Sequence, residues 1–324
     1  MRVLIALATA LTLAIVPGAL GADAPLPTQD TAKAAPGSFR REVFLHRPYA
    51  IHVPSGVQPV PAAAPNVVGV PAAGLVIALH GCWQTPEDFA QGTRLNAAAD
   101  QRRLVVVYPL QSRSANLSRC WNWFEPALSP GSETLEIATL ARHLADVYGV
   151  ARERTVAVGL SAGGFMAVNL ACAAPDLVAG VGVVAGGPFR CGVGVEAGLQ
   201  CMRGQNVNGE ASATACLTAM GRRGSTVRAS LWQGGEDAVV NPANVAALAV
   251  MFARVNGVSA RAVERREGAS VTVYRDAAGR PVVEAWLVPD VGHAWSGGDP
   301  RGTHTSPHGP DTTRRMLDFL LGPV

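Results

Sequence analysis

The residue in this sequence best placed to do covalent chemistry is Ser161. It stands in the motif Gly-Leu-Ser-Ala-Gly at residues 159–163, after a run of β-favouring and small residues and before a helix-like segment. A sharp turn from a buried strand into a helix can hold a serine in a strained conformation from which its hydroxyl attacks. The flanking glycines suit such a turn, because Cβ atoms there would collide with the neighbouring strand and helix. The alternative is an ordinary glycine-rich turn without a chemical role.

A serine hydroxyl is a poor nucleophile without a base, and His293 is the histidine best placed to be that base. It lies in the loop between the last predicted strand and the last predicted helix. This position agrees with the chain order serine, then acid, then histidine that accompanies a serine on a strand-to-helix turn. The other six histidines are interpreted as structural or solvated: His46, His52, His80, His143, His304 and His308.

The acid that would orient His293 should follow a strand between the serine and the histidine. The segment LWQGGEDAVV over residues 231–240 ends a predicted strand and offers Glu236 and Asp237. We assign Asp237, which lies beyond the Gly-Gly turn, to hold the imidazole tautomer and to stabilise the imidazolium. Glu236 is the first alternative and Asp290 the second, and each carboxylate could instead cap a turn.

Attack by Ser161 would also require donors for the oxyanion that forms. The segment LHGCWQ over residues 79–84 ends an early strand, where a second amide donor is expected. We assign the backbone N–H groups of Cys82 and Ala162 as the two donors, each worth about 3–4 kcal/mol in the transition state. His80 is then a residue that shapes this loop rather than a base.

The elements that must position these residues form an alternation of strands and helices. The strands are apolar along their whole length, which is typical of a mainly parallel sheet with helices on both faces. Residues 187–225 interrupt the alternation, hold three of the six cysteines and predict a disulfide-containing insertion. Before the alternation, residues 39–55 predict an antiparallel hairpin. The predicted strands are 75–81, 104–109, 155–160, 177–186, 227–235 and the hairpin 269–288, and the predicted helices are 85–103, 132–149, 164–174, 241–257 and 311–322.

The N-terminal residues predict export. In residues 1–21, Arg2 precedes an apolar stretch and a small-residue cleavage site, the pattern of a secretory signal peptide. A membrane anchor is the alternative, but the stretch is short for a bilayer and no charged stop follows it. Residues 22–38, rich in proline and alanine, predict a disordered leader, and residues 39–324 a single catalytic domain. The protein is expected in the periplasm or the extracellular medium.

Composition excludes several classes of function. The 324 residues carry a net charge of +3, and the charges are scattered, which argues against a nucleic-acid or membrane-surface partner. In an exported chain the six cysteines could form up to three disulfides, for which 15 full pairings are open. Their spacings do not match a zinc site, and no metal or organic cofactor is expected.

Six motifs follow one another in order within residues 40–322: LHGC, SRCWNWF, GLSAGG, GGEDAVVNPAN, GHAWSGG and HTSPHGPDTTRRMLDFLL. Together they resemble the secreted poly(3-hydroxybutyrate) depolymerase family of esterases, which overlaps with feruloyl-esterase-like relatives. The resemblance implies the α/β-hydrolase fold, with Ser161, Asp237 and His293 as the catalytic triad. It also implies that Cys82 is an oxyanion-hole donor and forms a disulfide with Cys120. The pairing of the other four cysteines stays open.

Two positions depart from the family pattern. Trp83 stands where family members usually carry a smaller or polar residue, so the acyl pocket is expected to differ. Gln233 replaces a histidine expected before the acid-bearing turn, and it is assigned no role in the triad. Large polymer-degrading members often append a polymer-binding domain, and no separate domain of this kind is expected here.

Four tryptophans are candidates to line a substrate cleft. Trp83 lies beside the oxyanion loop, Trp295 lies beside His293, and Trp121 and Trp123 belong to the segment CWNWF. Apolar walls with a few polar groups suit an ester substrate. The alternative for each tryptophan is packing in the core.

These observations predict a secreted, monomeric serine ester hydrolase. Its expected substrate is a polyester of the poly(3-hydroxybutyrate) type or its oligomers, and the first alternative is a feruloyl or acetyl ester of plant polysaccharide. A serine peptidase on the same fold and a secreted binding protein without turnover are the further alternatives.

Overall fold

The computed structural model describes residues 37–60, 70–223 and 226–324. The predicted signal peptide and residues 22–36 of the predicted leader lie outside this part of the chain. The first strand begins at Ser38, so the last residue of the predicted leader is already part of the sheet. In chain order the strands and helices are β1 (Ser38–Phe44), β2 (Arg47–Val53), β3 (Gly74–Leu79), α1 (Pro86–Thr93), α2 (Leu95–Arg102), β4 (Leu104–Pro109), α3 (Glu133–Tyr148), β5 (Thr155–Leu160), α4 (Ala162–Ala173), β6 (Gly180–Val184), α5 (Val195–Met202), α6 (Gly209–Met220), β7 (Arg228–Gly234), α7 (Ala243–Val255), β8 (Arg261–Arg266), β9 (Ala269–Arg275), β10 (Pro281–Val288), β11 (Trp295–Ser296), β12 (Thr305–Ser306) and α8 (Thr312–Leu321).

A ten-stranded sheet runs through the described residues in the order β1-β2-β4-β3-β5-β6-β7-β10-β9-β8. The six strands from β4 to β10 are parallel to one another, and antiparallel strands extend the sheet at both edges. Strands β3 to β6 are buried at every residue, which agrees with their continuous apolar sequences. The predicted mainly parallel α/β architecture is therefore confirmed.

Strand β6 demonstrates that helices cover both faces of the sheet. A Cβ added at Gly182 would lie 2.1 Å from Sδ of Met316 in α8, whereas the next residue, Val183, lies against Gly164 of α4. Successive residues of a strand point to opposite faces, so α8 and α4 lie on opposite sides of the sheet. Helices α3, α4, α6 and α7 pack against one another in a row, and α1, α2 and α8 form a second group.

Three elements differ from the sequence prediction. The single helix predicted over residues 85–103 is two helices, because Arg94 adopts a left-handed conformation with φ 56°. Strand β8 has no predicted counterpart, since its sequence RAVERR is mostly charged and lacks alternation; it forms by pairing with β9 at the sheet edge. Helix α7 begins at Ala243, two residues inside the predicted range 241–257, and Asn241 Oδ1 accepts from Ala243 N at 2.9 Å.

The insertion predicted over residues 187–225 carries α5 and α6 and is held by disulfides. Cys191 pairs with Cys201 inside it, and Cys216 of α6 pairs with Cys172 of α4. Within the described residues, no helix combines the length and apolarity needed to cross a bilayer. No group of three or more metal-ligating side chains there could hold a metal ion.

Candidate active site

Ser161 occupies the tight turn between β5 and α4. Its backbone has φ 56° and ψ −124°, a conformation that costs a non-glycine residue on the order of 1–3 kcal/mol. The turn is held by a hydrogen bond from Ser161 N to the carbonyl of Val184 in β6 at 2.9 Å, and by one from Phe165 N to the Ser161 carbonyl at 3.0 Å. The arrangement places the serine at the carboxyl end of β5 and at the amino end of a helix.

Glycines on either side of Ser161 make this turn possible. A Cβ at Gly159 would lie 2.3 Å from the carbonyl oxygen of Gly163, and a Cβ at Gly163 would lie 2.0 Å from the carbonyl oxygen of Leu79 in β3. Both obstacles are backbone atoms, which cannot swing aside as a flexible side chain can. The steric reason expected for the two glycines is present in the structure.

Gly163→Ala is expected to lower stability strongly, because its methyl group would collide with two carbonyls of the neighbouring loop. The cost should be about 3 kcal/mol or more, which lowers Tm by roughly 6 °C or more. Thermal unfolding followed by circular dichroism measures it. Gly292→Ala is the control, since its Cβ would meet nothing closer than 3.9 Å, and its Tm should stay near that of the wild type. Equal Tm values for the two variants would contradict the steric argument.

His293 and Asp237 form a hydrogen-bonded pair. His293 Nδ1 lies 2.8 Å from Asp237 Oδ2, and Asp237 Oδ1 accepts from the backbone amides of Val239 and Val240 at 2.8 Å each. Burial alone would raise the pKa of Asp237, but the bond and charge of His293, together with the two amides, hold the pKa below its usual value. The carboxylate therefore stays ionised and orients the imidazole.

Both alternative acids differ from Asp237 in burial. Glu236 and Asp290 are exposed, and neither side chain contacts His293, whereas the Asp237 carboxylate is closed off from solvent. The geometry thus favours Asp237 among the three candidates.

Strand order brings the His–Asp pair to the same edge of the sheet as Ser161. β6 separates β5 from β7, and β10 lies directly beside β7. The loops after β7 and β10 are joined by a hydrogen bond from Glu236 N to the Val291 carbonyl at 3.0 Å. Among the described residues no hydrogen bond joins Ser161 Oγ to His293, and such contacts are often long before substrate binds.

The predicted oxyanion loop lies directly beside Ser161. The position of a Cβ at Gly81 is 3.5 Å from Ser161 Cβ, and Gly81 N donates to Gln84 Oε1 at 2.8 Å. The disulfide between Cys82 and Cys120 is present, as the resemblance implied. Within the described residues the amides of Cys82 and Ala162 donate to no acceptor; Ala162 opens α4, where the first N–H groups have no partner inside the helix.

His80 is buried and neutral. Its Nδ1 lies 2.8 Å from the Gly81 carbonyl, and its Nε2 accepts from Gln111 N at 3.2 Å, which assigns the proton to Nδ1. Burial lowers the pKa of His80 to about 4, against the opposing hydrogen bond to Gly81. The ring therefore fixes the oxyanion loop, in agreement with the sequence interpretation.

Comparison with known proteins identifies the family. Residues 60–273 match the family described as Esterase PHB depolymerase. The chain belongs to this family.

This family member is similar to a curated depolymerase and a curated esterase, and to a solved esterase structure. Over 249 residues the chain is 32% identical to poly(3-hydroxyalkanoate) depolymerase C of Paucimonas lemoignei, covering 75% of this chain and 57% of the relative. It is 26% identical over 178 residues to feruloyl esterase B of Thermothelomyces thermophilus, covering 52% and 60% of the two chains. The chain therefore spans less than two thirds of either relative. The acetyl xylan esterase structure from Aspergillus awamori superposes with a TM-score of 0.67 at 21% identity, over 79% of this chain and 94% of that one. The fold is the α/β-hydrolase fold.

The four candidate tryptophans of this PHB depolymerase family member differ in exposure. Trp121 and Trp295 are 0% exposed, so the prediction that they line an open cleft is wrong for both. Trp121 Nε1 donates to the His80 carbonyl at 3.1 Å, and Trp295 Nε1 donates to Thr313 Oγ1 at 3.0 Å, so each is a core residue with a satisfied N–H.

The other two tryptophans lie closer to the surface. Trp83 is 66% exposed beside the oxyanion loop and remains a candidate to contact substrate. Trp123 is nearly buried and stacks on Phe165 of α4, with ring centroids 3.9 Å apart. Because Phe165 lies in the first turns of α4 after Ser161, this stacking supports the helix that follows the serine turn.

Three contacts near the site were not predicted from the sequence. The rings of His293 and His304 lie 5.9 Å apart in an edge-to-face arrangement, and the Thr303 carbonyl accepts from Gln84 Nε2 at 2.9 Å. Burial and the nearby His293 lower the pKa of His304. Gln233, which was assigned no triad role, donates to Asp237. Sequence spacing holds no signal for any of these contacts, because each depends on how loops pack.

Proposed function

We propose that this chain is a serine carboxylic-ester hydrolase with Ser161 as nucleophile, His293 as base and Asp237 as the orienting acid. The observation that supports it most strongly is the conformation of Ser161 at the start of α4, with the His293–Asp237 pair at neighbouring strand ends. Membership of an esterase family supports the same reaction class.

The proposed mechanism has two half-reactions. Ser161 Oγ attacks the ester carbonyl carbon while His293 Nε2 takes the hydroxyl proton, and the amides of Cys82 and Ala162 hold the oxyanion. When the intermediate collapses, His293 gives the proton to the departing alcohol, and the acyl group remains on Ser161. Water then repeats the sequence with His293 as base, which releases the carboxylic acid and restores the serine.

The proposed substrate is a polyester of the poly(3-hydroxybutyrate) type or its oligomers. The name of the Paucimonas lemoignei relative supports this choice. Exposed apolar side chains around the site also support it. Trp83 N donates to Ser118 O at 2.7 Å, which brings the exposed Leu117 near the exposed Trp83. Val239, two residues after Asp237, is exposed as well. Exposed apolar patches mark surfaces that bind apolar partners.

A feruloyl or acetyl ester of plant polysaccharide is the second candidate. It is supported by the likeness to feruloyl esterase B, at a lower identity than the depolymerase. We further propose that the protein acts as a monomer and uses no metal or organic cofactor. Its proposed location is outside the cytoplasm. The three disulfides of the described residues suit an oxidising compartment.

A release assay tests the proposal. The purified chain is incubated with amorphous poly(3-hydroxybutyrate), methyl ferulate and acetylated xylan, with p-nitrophenyl butyrate and casein as ester and peptide references. We expect ester cleavage, fastest on the polyester, and no cleavage of casein. Faster release of ferulate or acetate would replace the substrate assignment, and folded protein that cleaves no ester would overturn the proposed function.

A further inference from the structure

Gln233 contacts the proposed acid from a position that the mechanism above does not use. It lies in β7 four residues before Asp237 and is 1% exposed. Its Nε2 donates to Asp237 Oδ2 at 2.8 Å, the same oxygen that His293 Nδ1 contacts, and lies 3.0 Å from the Val240 carbonyl. Gln233 and His293 thus share one carboxylate oxygen.

The Asp237 carboxylate is fully occupied when Gln233 is counted. Oδ1 accepts from two backbone amides, and Oδ2 accepts from His293 and from Gln233. A carboxylate offers about four lone-pair directions, so all four carry a donor. A buried carboxylate needs such donors because it has lost its hydration. Without Gln233, one direction would be left to point into protein.

The orientation of the Gln233 amide is set by its surroundings. Its Oε1 is buried and has no hydrogen-bond partner within the described residues. Rotating the amide by 180° would place Oε1 against Asp237 Oδ2 and the Val240 carbonyl, which are both acceptors. The side chain therefore leaves its own carbonyl unpaired while both N–H groups donate. An unpaired buried acceptor is unfavourable and calls for an explanation.

We propose that Gln233 is a positioning residue that fixes the plane of the Asp237 carboxylate and shares its charge, so that His293 is held in the orientation Ser161 requires. The inference rests on the proposed function. By taking part of the charge on Oδ2, Gln233 weakens the pull of the carboxylate on the imidazolium. A variant without this donor should therefore need a higher pH for full activity. Other titratable side chains near the pair include His304, across from His293, and the exposed Glu236 and Asp290.

Two variants of the full chain separate this role from packing. Gln233→Leu keeps the size of the side chain and removes the donor. Gln233→Glu keeps the shape and donates only while it is protonated. Asn256→Leu is the control: Asn256 holds the opposite end of β7 through Val227 N and Val227 O, at 2.9 and 2.8 Å. Titration with a fluorophosphonate gives the concentration of active sites, so kcat is obtained per active site.

With p-nitrophenyl butyrate we expect Gln233→Leu to lower kcat about tenfold with KM unchanged, the loss of one hydrogen bond to a charged group. The acidic limb of the kcat/KM profile should move to higher pH. Gln233→Glu should lose activity as pH rises, because a second carboxylate then ionises beside Asp237. Asn256→Leu should lower Tm without moving the acidic limb.

The outcomes are distinguishable. If the wild type hydrolyses the ester, Ser161→Ala does not, and Gln233→Leu keeps the wild-type kcat and acidic limb, this inference alone is overturned. If the wild type itself is inactive, both the proposed function and this inference are overturned. If Gln233→Leu does not fold, the inference is tested on Gln233→Glu by the low-field proton NMR signal of His293 Nδ1–H. We expect that signal to move between low and high pH in the variant more than in the wild type, and equal behaviour would overturn the inference.

Discussion

Ser161→Ala is expected to remove nearly all ester hydrolysis and to leave the fold intact. The variant lacks the attacking oxygen, so only binding and the oxyanion donors remain, and loss of such a nucleophile lowers kcat on the order of 10⁶-fold. Alanine accepts the φ of 56° about as poorly as serine, so the strain of the turn is unchanged. The hydroxyl makes no hydrogen bond to another described residue, so its removal leaves no buried partner unpaired. Initial rates on p-nitrophenyl butyrate and thermal unfolding measure the two effects.

Covalent labelling by an active-site probe reports the reactivity of Ser161 directly, and a buried serine elsewhere in the chain serves as the control. A fluorophosphonate should label the wild type at Ser161 and should not label Ser161→Ala. Ser296, which is buried and donates to the Pro310 carbonyl at 3.0 Å, should remain unlabelled in both. An alanine variant that keeps a few per cent of the wild-type rate would remove Ser161 from the mechanism.

The strand-to-helix turn at Ser161 could be predicted because its conformation is determined by residues close to it in the sequence. Three short stretches of chain specify their own conformation: the apolar run of β5, the turn with Gly159 and Gly163 around Ser161, and the glycine-containing loop that carries His293. The order of serine, acid and histidine then places the three at one edge of a parallel sheet. The Cys82–Cys120 pairing came from the family resemblance. The other four cysteines could still pair in three ways, and the sequence does not distinguish among them.

The predictions that failed concern side chains whose positions depend on packing between segments far apart in the sequence. Trp121 and Trp295 lie next to predicted site loops in sequence, yet both rings turn inward, where a carbonyl and a threonine hydroxyl satisfy their N–H groups. The contact of Gln233 with Asp237 depends on the turn after β7 folding back over the strand end. Neither outcome has a periodicity or a spacing that sequence reading could detect.

Asp237→Asn is expected to lower kcat by about 10⁴-fold with little change in KM. The amide keeps the shape of the carboxylate but carries no charge, so it cannot stabilise the imidazolium that forms during attack. If the amide nitrogen faces His293, it also imposes the wrong tautomer on the ring. Steady-state kinetics on p-nitrophenyl butyrate measure the effect. Tm should fall by a few degrees, because the amide nitrogen replaces one accepting oxygen and loses the hydrogen bonds which that oxygen accepted.

Glu236→Gln and Asp290→Asn are the matched controls, since each removes one charge from an exposed side chain close to the same loops. Both should retain most of the wild-type kcat, because neither carboxylate contacts His293, and a charge in water is screened. The expected difference in kcat is large. Loss of the buried carboxylate that contacts His293 at 2.8 Å should lower kcat by orders of magnitude, and loss of either exposed carboxylate should not. A crippled Glu236→Gln beside an active Asp237→Asn would show that the loop rearranges in the working enzyme, so that the contact seen here is not the one that orients the base.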